Sequence, residues 1–422
     1  MRILVEQSAY SLVNMGDLAM IQIAISRLRK LFPDASIEVF TGAPHRFVSF
    51  CPGASPLDFT GQHIWFSPLI KQLGQEIPGS YGKHVSEFEW NLRCSFPKLI
   101  KFLIDSKSKL LQKDTQSLSL FLESIQSADL VVSSGGGYIT DAFKAKASAT
   151  LGILGLANKF GVPTVMLGHG IGPLKDPGLR VKAKRVLPST RLITLRESRA
   201  GLPLLDSLGV KREQIAVTGD DAIELAYQAR GSQIGHGIGV NLRVTNYANV
   251  GTESIEIVRV ALQDVARAKN APLIPVPIEF SDSSSDVKSI KQLLAGYDNE
   301  SDGGQSLSSP LEVAKQAGQC RVVVTGSYHA GVFSLSQGIP IVALAKSEYY
   351  KDKFLGLADQ FGITCELVFL DDPQLKEKLP VAIDRAWKSA EKVRPQLLEA
   401  AQKQITLGQI AYQKIPELVS NP

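Results

Sequence analysis

His329 lies in Val322-Val-Val-Thr-Gly-Ser-Tyr-His-Ala-Gly-Val-Phe-Ser-Leu-Ser-Gln-Gly-Ile-Pro-Ile-Val-Ala-Leu344, which reads as strand, tight turn, short helix, turn and strand. The β-branched residues Val322 to Val324 suit a strand covered on both faces. Thr325-Gly-Ser is turn chemistry, and Ala330 to Gln337 is a helix stopped by Gly338 and Pro340. His329 therefore falls where a strand hands over to a helix. Ligands bind at that edge of an open α/β sheet, because helix amino termini point amides at anions there. An imidazole at such a place can give or take a proton near neutral pH. A capping or core histidine is the plainer alternative.

Other ionisable and glycine-rich stretches repeat this placement. Asn14-Met-Gly-Asp17 stands at the start of the first helix. There Asp17 is either the N-cap or part of a substrate- or phosphate-facing turn that Gly16 lets come close. Ser134-Gly-Gly-Gly137 follows a strand, so Gly135, Gly136 and Gly137 are expected as a ligand loop. The loop is not GxGxxG and no acidic ribose-binding residue follows it, which argues against a nicotinamide cofactor. His169 sits among three glycines in Gly168-His-Gly-Ile-Gly172, a setting that propensity does not explain. Arg196, just before an expected helix, can meet an anionic group or pair with Glu197 or Asp221. Thr218-Gly-Asp-Asp221 can cap a helix, bind a metal or receive an arginine, with capping or arginine pairing favoured. Arg243 ends the strand Gly237 to Leu242.

Alternating strands and helices position these residues. Ile3 to Val5, Ser36 to Phe40, Asp129 to Ser133, Thr164 to Leu167, Leu192 to Leu195 and Ile215 to Val217 are expected strands with helices between them, a doubly wound sheet. Residues 229–236 read as a linker to a second strand series, beginning at Gly237 and ending at Glu366 to Phe369. The fold class is α/β, with two Rossmann-like domains facing a cleft in the GT-B manner. The expected division is 1–228, 229–395, and a C-terminal helix over 396–422 that packs back on the first domain. Residues 44–125 break the rhythm. They hold Pro44, Pro56, Pro68, Pro78, Pro97, Trp65, Trp90, His45, His63, His84 and Cys94, and read as an insertion on the acceptor side.

The chain has 422 residues, 44% hydrophobic and 21% charged, with a net charge of +5. That is ordinary for a globular enzyme of two or three domains. The 46 basic and 41 acidic residues are interspersed, so no nucleic-acid partner is indicated, while an anionic small molecule or a membrane-surface substrate is allowed. The four cysteines are far apart without a CxxC pair, which argues against a zinc site or a disulfide scaffold and suits the cytoplasm. Met1 to Gln7 reads as a strand start rather than a signal peptide, and no run is long enough to span a membrane.

The ordered motifs Asn14-Met-Gly-Asp17, Ser134-Gly-Gly-Gly137, Gly168-His-Gly-Ile-Gly-Pro173, Arg196-Glu-Ser198, Thr218-Gly-Asp-Asp221, Thr325-Gly-Ser-Tyr-His329 and Gln337-Gly-Ile-Pro340 resemble the polysaccharide pyruvyl transferase family. The resemblance spans most of the chain outside 44–125. It implies an enzyme that moves the enolpyruvyl unit of phosphoenolpyruvate onto a sugar of a cell-surface polysaccharide or its lipid- or nucleotide-linked precursor, at the inner face of the membrane. No metal or cofactor is implied. His329 and Asp17 would be catalytic. Asn14, Gly16, Gly135, Gly136, Gly137, His169, Arg196, Arg243, Ser327, Tyr328 and Lys353 would bind substrate. One position departs from the family: Ser327 stands where members usually carry an arginine that resembles a phosphoenolpyruvate ligand. Either Arg196, Arg243, Lys346 or Lys353 supplies the missing cation, or the donor differs. The alternatives are a GT-B glycosyltransferase using a nucleotide-sugar and a non-catalytic glycan-binding relative.

Overall fold

The computed structural model describes the chain except residues 9, 68–88, 94, 111–115, 245–251, 283–284, 363–364 and 421–422. Pro68, Pro78, His84 and Cys94 lie outside the described residues. Two parallel sheets organise the rest. The first contains β1 (Arg2–Glu6), β2 (Ser36–Phe40), β3 (Ser55–Leu57), β4 (Leu130–Ser133), β5 (Gly136–Ile139), β6 (Thr164–Ile171), β7 (Leu192–Leu195) and β8 (Ile215–Val217). Its order is β3-β2-β1-β4-β6-β7-β8, with β5 paired to β6. The second contains β9 (Gly237–Asn241), β10 (Leu273–Pro275), β11 (Cys320–Thr325), β12 (Ile341–Ala345) and β13 (Cys365–Phe369), in the order β10-β9-β11-β12-β13. Among the described residues no helix is long and apolar enough to cross a membrane.

Strand order places the functional edge. In the first sheet the direction of winding reverses between β1 and β4, and in the second between β9 and β11. Loops leave such a switch point in opposite directions and open a crevice at the strand carboxyl ends. The loops after β1, β9 and β11 carry Asn14, Arg243 and Ser327, and β5, which follows β4 after two residues, carries Gly137.

The structure differs locally from the sequence expectation. The 44–125 region begins as part of the first sheet: β3 pairs with the outer side of β2, an edge position where Pro56 costs no internal ladder bond. The glycine stretch expected as a loop continues as β5, which pairs Gly136 with His169. Strand β6 therefore runs to Ile171 instead of ending at Leu167. The first helix is capped by Asn14, whose Oδ1 accepts from the amides of Gly16 and Asp17, both at 3.0 Å. Asp17 lies in the first turn, where its charge suits the helix dipole. The segment Arg196 to Ala200 is loop, and the next helix starts at Gly201.

One apolar cluster joins the two units, combining Leu18 and Ile25 of the Met15–Leu31 helix with Phe333, Ile405 and Tyr412. The 39-residue helix Leu375–Gln413 crosses from the second sheet to the first unit. Its Tyr412 hydroxyl donates to Asp221 at 2.6 Å. Asp221 also accepts from Arg27 at 2.7 Å, and Arg27 reaches Glu224 at 2.6 Å. Arg27 is 7% exposed, so removing it strands two buried carboxylates. Arg27→Ala should cost about 3–5 kcal/mol, read as a lower urea midpoint.

Candidate functional site

Residues from both units line one cavity of about 310 Å³. The first unit contributes Asn14, Asp17, Gly137, Lys146 and Arg196, and the second contributes Arg243, Glu279, Ser327, Tyr328, His329, Tyr349 and Lys353. The seam is held by backbone as well as side chains. The amide of Met15 donates to the carbonyl of Ile278 at 2.8 Å, and that of Phe280 to Val13 at 3.0 Å. The Asn14 amide group donates to Glu279 at 3.0 Å. On the other side of the cavity the Tyr349 hydroxyl donates to the carbonyl of Gly137 at 3.0 Å.

His329 begins the Tyr328–Leu335 helix, one residue inside its amino end, and its side chain is 10% exposed. The imidazole rests on the first unit. A Cβ placed on Gly16 would come within 2.0 Å of the His329 ring, so the close approach requires glycine. Its Nε2 lies 3.5 Å from Oδ2 of Asp220, a carboxylate with no exposed side-chain surface. That oxygen is also 3.3 Å from the guanidinium of Arg196, while Oδ1 accepts from the amide of Ala222 at 2.9 Å. Burial works to raise the pKa of Asp220, but His329 and Arg196 beside it hold the carboxyl below its usual range. Asp220 stays anionic in the core and orients a histidine and an arginine together.

Four cations border the cavity. The Arg196 guanidinium lies 4.1 Å from the centre of the Tyr328 ring. Lys353 is 4.0 Å from the centre of the Tyr349 ring and makes no ion pair among the described residues. A Cβ on Gly137 would stand 2.4 Å from Arg196 and 2.9 Å from Lys353, so glycine lets both approach one stretch of backbone. Burial, reinforced by Arg196, pushes the Lys353 pKa well below the usual lysine value. Arg243 is held by Asp286 at 2.8 Å and by Glu279 at 3.5 Å. Lys146 is held by Glu6 at 2.6 Å, and burial lowers its pKa. Arg196, Arg243 and Lys146 are answered by carboxylates of the protein, whereas Lys353, among the described residues, is not, so its buried charge is unfavourable until an anion arrives.

The cavity thus gathers Asn14, Asp17, Gly137, Arg196, Arg243, Ser327, Tyr328, His329 and Lys353. Gly16 serves it from below the histidine. Gly135 and Gly136 are buried away from the lining, and so is His169. Because β6 continues through it, His169 is a strand residue with no exposed surface, whose Nε2 donates to the carbonyl of Ser133 at 3.1 Å. Lys346 does not line the cavity either. Sequence reasoning overlooked Lys146, Tyr349 and Glu279. It expected Asp221 or Glu197 beside Arg196, where the structure places Asp220. The paired aspartates were a usable signal, but one strand end turns them apart, Asp221 to Arg27 and Asp220 to the cavity wall.

The profile of the family described as polysaccharide pyruvyl transferase matches residues 14–348. No curated protein matches the chain by sequence. Among solved structures, the chain is similar to a UDP-GlcNAc 2-epimerase from Neisseria meningitidis bound to UDP-GlcNAc, at 11% identity and TM-score 0.56 over 100% of each chain. It is also similar to S. aureus MnaA with UDP, at 14% identity and TM-score 0.53 over 99% of this chain and 95% of that one. The calicheamicin glycosyltransferase CalG4 matches at 11% identity and TM-score 0.50 over 100% and 98%. At these identities the likeness is one of fold, the two-domain Rossmann-like arrangement of GT-B glycosyltransferases and epimerases.

The buried His169 has a pH signature. Burial first, then the charges of Arg196 and Lys146, lower its pKa to about 4. Unfolded, it binds a proton below about 6.5, so the unfolded state gains protons that the native state refuses. Stability should therefore fall by roughly 3 kcal/mol as the pH drops from about 6.5 to 4. Urea midpoints across that range should fall steeply for the native chain and less for His169→Gln.

Proposed function

The chain belongs to the polysaccharide pyruvyl transferase family, and from that premise we propose that its cavity binds phosphoenolpyruvate and transfers the enolpyruvyl unit to a saccharide as a ketal. The observation that carries this reading is the setting of His329: seated on Gly16, 3.5 Å from buried Asp220, in a cavity bordered by Lys146, Arg196, Arg243 and Lys353. Phosphoenolpyruvate bears its carboxylate and its phosphate ester on the same carbon, C2. A cluster of cations on facing walls suits two anionic groups so close together.

The reaction follows from those parts. His329 delivers a proton to the methylene carbon C3, which becomes a methyl group and leaves C2 electron-poor, like an oxocarbenium ion. An acceptor hydroxyl forms a C–O bond to C2 and gives its proton to a base, the role assigned to Asp17. The bond from C2 to the phosphate oxygen then breaks and inorganic phosphate departs. A second hydroxyl of the same sugar adds to C2, loses its proton, and closes the ketal. Asp220, 3.5 Å from Nε2, positions the imidazole. Lys353 takes the anionic group that the family arginine would hold, since Ser327 offers only a hydroxyl.

Phosphate release from phosphoenolpyruvate, with a panel of polysaccharide precursors as acceptors, tests the reading together with calorimetry of donor binding. His329→Gln should lower kcat by about 10²–10⁴-fold with little change in donor affinity. Gly16→Ala should cost roughly a hundredfold by displacing the imidazole. Lys353→Met should instead weaken phosphoenolpyruvate binding by about ten- to a hundredfold. Stabilisation of the fold by UDP or GDP compounds, with no binding of phosphoenolpyruvate, would replace this reading with transfer from a nucleotide-sugar.

A further inference from the structure

The helix Pro97–Leu110 turns apolar residues both ways. Ile100 and Ile104 are buried in the core of the first unit with Trp65 and Trp90. On the other side Phe96 is 57% exposed, Leu99 52%, Phe102 65% and Leu103 47%. Positions 96, 99 and 103 follow the i, i+3, i+7 spacing of a single helical face, and Phe102 adjoins them. Scattered exposed apolar residues need no explanation, but four within about two turns, Phe96 just ahead of the helix and the other three on it, form a patch that water does not favour.

The rim of this patch is basic. Lys98 is exposed, and Lys101 pairs with Asp105 at 2.6 Å. Next to Phe96, the side chain of Ser95 accepts from the exposed Arg185, which also bonds Asn91. Lys184 is exposed beside Arg185 on the helix Pro177–Val186. Large apolar side chains flanked by lysines and an arginine match an interface of acyl chains below anionic headgroups, where each charge and each buried methylene adds to binding.

We propose that the face of Phe96, Leu99, Phe102 and Leu103 docks the protein in the plane of an anionic lipid bilayer, with Lys98, Lys184 and Arg185 meeting the headgroups. A bilayer suits the patch better than a second copy of the chain, whose own patch would bring the same basic rim and repel it.

The full chain should co-sediment with vesicles of phosphatidylglycerol and phosphatidylcholine but poorly with phosphatidylcholine alone, and raised salt should weaken the binding. The exposed double substitution Leu99→Ser with Phe102→Ser should reduce partition by roughly tenfold or more while leaving the melting temperature unchanged. Lys98→Glu with Arg185→Glu, which leaves the apolar face intact, should also reduce it. Absence of sedimentation with anionic vesicles, or equal partition by the apolar variant, overturns the proposal. So does a native dimer, seen by analytical ultracentrifugation, that the same apolar substitutions convert to monomer. Phosphate release on a water-soluble acceptor is independent of this surface, so failure of docking and failure of the proposed reaction are read separately.

Discussion

A carboxylate taken wholly out of water must be compensated where it stands, and Asp220 is compensated by Arg196 and His329. That requirement reaches across the molecule. Arg196 belongs to the first unit and His329 to the second, so satisfying one buried charge brings the two walls of the cavity into register. Gly16 permits the approach, and Asn14 ties the same turn to Glu279. The seam and the site are therefore one structure. A change that opens the seam leaves Asp220 undercompensated, and a change at Asp220 releases both the imidazole and the guanidinium.

A second set of buried charges keeps the far side of the same seam closed. Asp221, the neighbour of Asp220, receives Arg27 and Tyr412 and so anchors the long C-terminal helix. Two adjacent aspartates thus divide the work between positioning the cavity and holding the units together. The apolar cluster shared between Leu18, Phe333 and Ile405 supplies most of the attraction, and the polar pairs set its geometry. Precision at the cavity depends on that geometry, since the imidazole is useful only while it points at the substrate.

The cation cluster shows the opposite economy. Among the described residues Lys353 has a ring face and no ion pair, and its charge is disfavoured by burial and by Arg196. Such a group is stabilised by an incoming anion, so ligand binding relieves an unfavourable arrangement that the fold maintains. Asp220 and Lys353 set the two ends of this balance, one fully answered within the protein and one left for the ligand.

Local pattern carried much of this. Buried β-branched runs marked most of the strands, glycine and proline marked their ends, and the placement of His329 after β11 followed from Val322 to Pro340 alone. The motifs carried the family. Failures came where local pattern and tertiary context disagree. The glycines at 135–137 and 168–170 read as loop because they weaken a strand in isolation, yet each stretch is stabilised by pairing with the other, and His169 was buried by that pairing. Lys146 gave no local signal, because a lysine one turn into a helix is ordinary until Glu6 faces it. By itself the sequence determined the alternation of elements and which residue types stand at strand ends, since these depend on steric and hydrophobic preferences over a few residues. Only the tertiary structure decided which of those residues share a cavity. Burial and pairing of charge are properties of contacts between positions as distant as Gly16, Asp220 and His329, and no short stretch of chain contains them.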